Sequence, residues 1–107
     1  MVIPTSGYEI NQCELRAKDY QSFHYGNLVF IQPLKDNGAF EFGLFTGHWI
    51  NRAYIKGNGR MFIDAETNLT FKTKEEVLIW YEWMTNKKAS IYIIGEDNIP
   101  FPMKYNY

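Results

Sequence analysis

The sequence predicts an α+β fold: an antiparallel β-meander of about five to six strands, with one C-terminal-half α-helix packed on one face. Three observations predict it. Short β-branched and aromatic runs recur between residues 28 and 72. Tight breaks rich in Gly and Asn separate them, so each run pairs most simply with its predecessor. A stretch beginning at Thr73 carries both a helix start signal and helical apolar spacing.

Taken in order, residues 1–26 are the least readable. Residues 8–10 and 13–17 suit either a short strand or a helical turn, and Gly26-Asn27 marks a break. Residues 28–34 form an apolar run that reads as a buried strand, whose end Pro33 demotes to an edge or bulge. Lys35-Asp36-Asn37-Gly38 is a turn, because Asn and Gly tolerate positive φ. Residues 39–46 alternate, with Phe40, Phe42 and Leu44 on one side, and read as a strand ended by Gly47. Residues 49–56 and 60–65 are further strands around the Gly57-Asn58-Gly59 turn, and residues 68–72 make a short one.

The helix opens at Thr73, where Glu76 completes a capping box and Glu75 also suits the positive helix end. Val77, Trp80, Tyr81 and Met84 fall at the spacing of a core-facing stripe. Lys87 and Lys88 follow its end, and residues 90–94 read as a last strand.

A chain of 107 residues is expected to form one domain, residues 1–107. Eleven basic residues against 12 acidic ones leave a net charge of −1, which excludes both a bulk-charge polyanion binder and a strongly acidic mimic of DNA. Cys13 is the lone cysteine, so no internal disulfide forms and a classical zinc site is disfavoured. No cofactor or metal is expected. No apolar run reaches the roughly 20 residues of a membrane span, and the first residues make too short a core for a signal peptide, so a cytoplasmic setting is expected.

Aromatic residues make up 18% of the chain, more than a domain this size readily hides. Two surfaces emerge as candidates. If the helix covers one sheet face and nothing covers the other, alternation puts His48, Arg52, Tyr54, Lys56, Arg60 and Phe62 outward, with Trp49, Ala53 and Ile55 inward. Cations mixed with rings suit single-stranded nucleic acid, although such a face is also a common way to keep a sheet soluble. The second surface is Ile79 and Trp83, four apart on the helix. Either the tail residues Ile99, Phe101 and Met103 cover this strip, or it meets a partner or a second copy.

Catalytic signatures are missing. His24 and His48 sit in no metal spacing, Cys13 has no base beside it, and Asp64 and Glu66 show no pairing. An enzyme is expected only through a constellation that the fold assembles, such as His48, Arg52 and Asp64 meeting on the open face. The leading expectation is therefore a non-enzymatic protein-binding domain, an inhibitor or accessory protein of the phage anti-defence (anti-CRISPR-like) or immunity-partner kind. Binding of nucleic acid or a nucleotide through the aromatic and basic face is the alternative, with homo-oligomerisation left open.

Overall fold

Successive side chains of a strand point to opposite sides of its sheet, so an unbroken apolar run needs cover on both sides. Leu28, Val29, Phe30 and Ile31 form such a run, and the last three are buried on both sides. The computed structural model describes residues 12–42 and 47–100. In chain order these form α1 (Gln12–His24), β1 (Asn27–Pro33), β2 (His48–Ile55), β3 (Gly59–Asp64), β4 (Leu69–Phe71), α2 (Lys74–Thr85) and β5 (Ala89–Ile93). The sheet is antiparallel throughout, in the order β4-β3-β2-β1-β5. Strands β1 to β4 are the expected meander, and β5 returns by way of α2 to the free side of β1.

Each face has its own helix. Val29, Ile31, Ile50, Phe62, Ile91 and Ile93 pack against Val77 and Tyr81 of α2. On the other face Phe30 and Trp49 pack on Ala17 of α1, while Ala53, Met61 and Ile63 pack near Tyr20. Fully burying side chains such as Ile31 and Ile50 stabilises the fold by about 1.5–3 kcal/mol each. The small Ala17, 0% exposed, lets α1 lie close to β2. There Asn51 Nδ2 donates to the Ala17 carbonyl at 2.8 Å, tying the helix to the strand.

This three-layer arrangement corrects the expectation of an open sheet face. Alternation sorts the side chains of β2 and β3 as expected, with Arg52 opposite Phe62 and Tyr54 opposite Arg60. The side carrying them, however, is the one α2 packs on, and the opposite side lies under α1. Three further corrections follow. Residues 39–42 make a single bridge, Leu34 to Phe40, instead of a strand, and residues 43–46 lie outside the described residues. Met84 is 53% exposed and not part of the core stripe, whereas Leu78 packs against the core. Ile99 joins Phe30 and Trp49 on the α1 side and does not cover α2. Phe101 and Met103, like residues 8–10, fall outside the described residues.

The helix signals hold. Thr73 caps α2 by accepting from the Glu76 amide at 3.1 Å, and the Glu76 carboxylate accepts from the Lys72 amide at 2.8 Å. Asn86, in the left-handed conformation, ends it.

Candidate active site

His48 opens β2 opposite Ile31, on the side facing α2. Asp64 closes β3, and the register that pairs Asn51 with Ile63 carries Asp64 onto the same side, diagonal to His48. Their side chains meet: His48 Nε2 lies 2.8 Å from Asp64 Oδ1. The second carboxylate oxygen accepts from the Thr67 hydroxyl at 2.6 Å. Only 2% of the Asp64 side chain and 17% of that of His48 are exposed.

The third member comes from the far side of the sheet. Helix α1 runs along β2, with Ala17 against Trp49 and Tyr20 in the cluster of Ala53, so its first turn reaches the end where His48 sits. Cys13 is the second residue of that helix. It packs beside the Phe30–Trp49 cluster, where Trp49 is next to His48 in the chain, and its sulfur helps to raise the His48 pKa. Trp80 of α2 lies beside the imidazole, with ring centroids 5.9 Å apart, and itself packs at a tilt against Phe71 at 5.2 Å. These rings shield the histidine–carboxylate pair from water.

The electrostatics follow from the contacts. Burial alone lowers the His48 pKa, but the hydrogen bond to Asp64, and then the influence of Cys13, outweigh it and push the pKa up to about 10. Burial raises that of Asp64, and the hydrogen bonds from His48 and Thr67 more than offset this, holding the carboxyl below its ordinary range. His48 is therefore an imidazolium at neutral pH, with a proton on each nitrogen. Tyr81 lies nearby, its pKa raised by burial, then by Glu41 and by Cys13. Glu41 also lines a groove of about 710 Å³ with Lys35, Glu82, Lys87 and Lys88.

The residues expected on an open face are divided by the fold. His48 enters the cysteine–histidine–aspartate array, while Phe62, 4% exposed, is core. Arg52 and Arg60 both contact Glu96, at 3.1 and 3.5 Å, and Arg52 also lies 5.7 Å over the Phe62 ring. The shared carboxylate offsets the positive patch that phosphate binding needs. Tyr54 and Lys56 are exposed near the β2–β3 turn, at the opposite end of β2 from His48. The sequence-level constellation of His48, Arg52 and Asp64 is thus met in two of its members. Cys13 takes the third place, and no local signal marks it. On α2, Ile79 and Trp83 are 69% and 83% exposed.

Among the described residues, no three His, Cys, Asp or Glu side chains are placed to hold a metal ion, and no helix is long and apolar enough to cross a membrane. No family model matches the chain, and no curated protein or solved structure is significantly similar to it.

Proposed function

We propose that this domain is a thiol-dependent acyl-transfer enzyme that cleaves an amide or ester bond, with Cys13 as nucleophile, His48 as acid and base, and Asp64 as the group that orients His48. One observation carries the reading. A buried imidazole is bonded through Nε2 to a carboxylate, at the end of the sheet where the first turn of α1 brings the lone thiol, which acts on that imidazole. The thiolate is the nucleophilic form of a cysteine, and an imidazolium beside it supplies its counter-charge.

The chemistry balances with these three groups and water. The Cys13 sulfur attacks the carbonyl carbon, forming a C–S bond and a tetrahedral oxyanion. Collapse breaks the bond to the leaving nitrogen or oxygen, which takes its proton from His48. The neutral imidazole then accepts a proton from water as that water attacks the thioester. Release of the carboxylic acid breaks the C–S bond and returns the thiolate–imidazolium pair.

The test is the rate of Cys13 alkylation by iodoacetamide against pH, followed by intact mass, in wild type, His48→Ala and Asp64→Asn. At about pH 6 the wild-type thiol is expected to react at least about tenfold faster than that of His48→Ala, with Asp64→Asn in between. Identical profiles for all three would sink the reading. A chromogenic acyl ester should also leave a transient acyl group on Cys13 in wild type and none in Cys13→Ser.

A second reading has its own support. The exposed Ile79 and Trp83, with Met84 beside them, form an apolar strip on α2 that none of the described core clusters includes. Such a strip suits a protein-binding domain, with or without catalysis.

A further inference from the structure

Resting on the triad reading above, we propose that Thr67 is the positioning residue of the array, fixing the Asp64 carboxylate in the plane that serves His48. The argument starts from donor counting. An ionised carboxylate only accepts, and a hydroxyl has one proton to give. Thr67 Oγ1 accepts from the Leu69 amide at 3.3 Å and lies 2.6 Å from Asp64 Oδ2. With the Leu69 amide at its lone pair, the hydroxyl proton points to the carboxylate.

Each Asp64 oxygen then has one named side-chain donor: Oδ1 takes His48 Nε2–H and Oδ2 takes Thr67 O–H. The chain of bonds runs from the Leu69 amide through Thr67 and Asp64 to His48. Bonds in such a series polarise one another.

The turn holds the hydroxyl in place. The Asn68 amide donates to the Asp64 carbonyl at 2.7 Å, and Asn68 takes the left-handed conformation, φ +62°, so the chain doubles back directly after β3. Thr67 is thereby brought over the side chain of the residue three positions earlier. Without the hydroxyl the carboxylate keeps His48 and the weaker backbone contact of Thr67, but Oδ2 loses its side-chain donor and the imidazole loses part of what fixes its orientation.

The groups able to compete for His48 are few. Asp64 faces it from β3, Cys13 from α1 and the uncharged Trp80 from α2. Tyr81 of α2 feels both Cys13 and Glu41, the latter from the loop after β1.

The experiment compares the full-length chain as wild type, Thr67→Val and Thr67→Ser, with Thr67→Ala in reserve should valine prevent folding. Iodoacetamide alkylation of Cys13 is followed against pH beside a thermal melt. Thr67→Val keeps the shape but removes the donor, and its alkylation at about pH 6 is expected to slow roughly three- to tenfold. Thr67→Ser keeps the donor and should stay within about twofold of wild type. A purely structural Thr67 would lower the melting temperature in Thr67→Val and leave the pH profile in place, and that result overturns the proposal. So does equal loss in the serine and valine variants. A profile insensitive to His48→Ala instead defeats the triad itself, whereas a His48-dependent profile indifferent to Thr67→Val defeats the positioning role alone.

Discussion

Gly47 directly precedes the candidate base with φ +84°, and an added Cβ would come within 2.5 Å of Phe30 Cζ and 3.1 Å of the Ile31 carbonyl oxygen. Phe30 has no room to give, since it is 5% exposed and packed on Trp49 with ring centroids 4.8 Å apart. Gly47→Ala therefore meets both a backbone penalty and overpacking, about 2–4 kcal/mol together. Urea denaturation should register that loss. Alkylation of Cys13 should slow as well, because the start of β2 that carries His48 has to shift. A variant with wild-type stability would show that this close approach is not maintained. In the sequence Gly47 reads only as a break, because the atom it must avoid belongs to a strand formed much earlier in the chain. His48 and Asp64 can be named from the sequence as possible partners, but only the β2–β3 register brings them into contact. Cys13 looks isolated along the chain, because its place is set by where α1 lies on the sheet.

At the level of elements, local signals and their absence account for what was legible. Helix α2 is readable because Thr73 and Glu76 are adjacent cap partners and Val77 and Tyr81 are large apolar residues one turn apart. Helix α1 is not, because the residues it turns to the sheet are Cys13, Ala17 and Tyr20, while Leu15 and Phe23 are 48% and 79% exposed. A stripe of a thiol, a methyl and a phenol gives no helical period against such a background. The outer side of α2 shows the converse. Ile79 and Trp83 are readable as a second apolar strip, and the one described tail residue expected to cover them, Ile99, lies on the α1 side. Replacing both with Gln is expected to change the stability of the monomer by no more than about 0.5 kcal/mol, as for other surface positions. A helix buried by its own chain would instead lose several kcal/mol. Sedimentation of wild type and the double variant, beside their melts, separates the cases. Self-association lost with unchanged stability marks an interface between copies, and a large drop in stability refutes the exposed strip.

For the whole molecule, alternation sorts β2 and β3 into two sets of side chains but does not say which set a helix covers. The sequence marks one helix and so leaves one face open; the second helix makes a three-layer domain in which the histidine–aspartate pair sits between sheet and α2. Burying that pair couples global stability to pH, and the sign can be worked out for each group. The folded pKa of His48 is raised from its ordinary 6.5 to about 10. Its contribution is complete below about pH 6.5 and is lost as pH rises through about 10, since the folded state there holds a proton that the unfolded state has released. The folded pKa of Asp64 lies below its ordinary 3.8, so its contribution is complete above that value and is lost as pH falls beneath it. The two overlap between about pH 4 and 6.5, which is where the domain should be most stable. Above that window the slope approaches about 1.4 kcal/mol per pH unit for the one extra proton held by the folded state. Tyr81, with its folded pKa also raised, adds a further loss only when the unfolded phenol ionises, above about pH 10. Denaturation midpoints from about pH 4 to 9 in wild type and His48→Gln isolate the histidine contribution. The wild-type curve should fall through the alkaline range and the variant curve should stay flat there. Parallel curves would mean that His48 does not hold its extra proton in the folded state, and the imidazolium facing Cys13 would go with it.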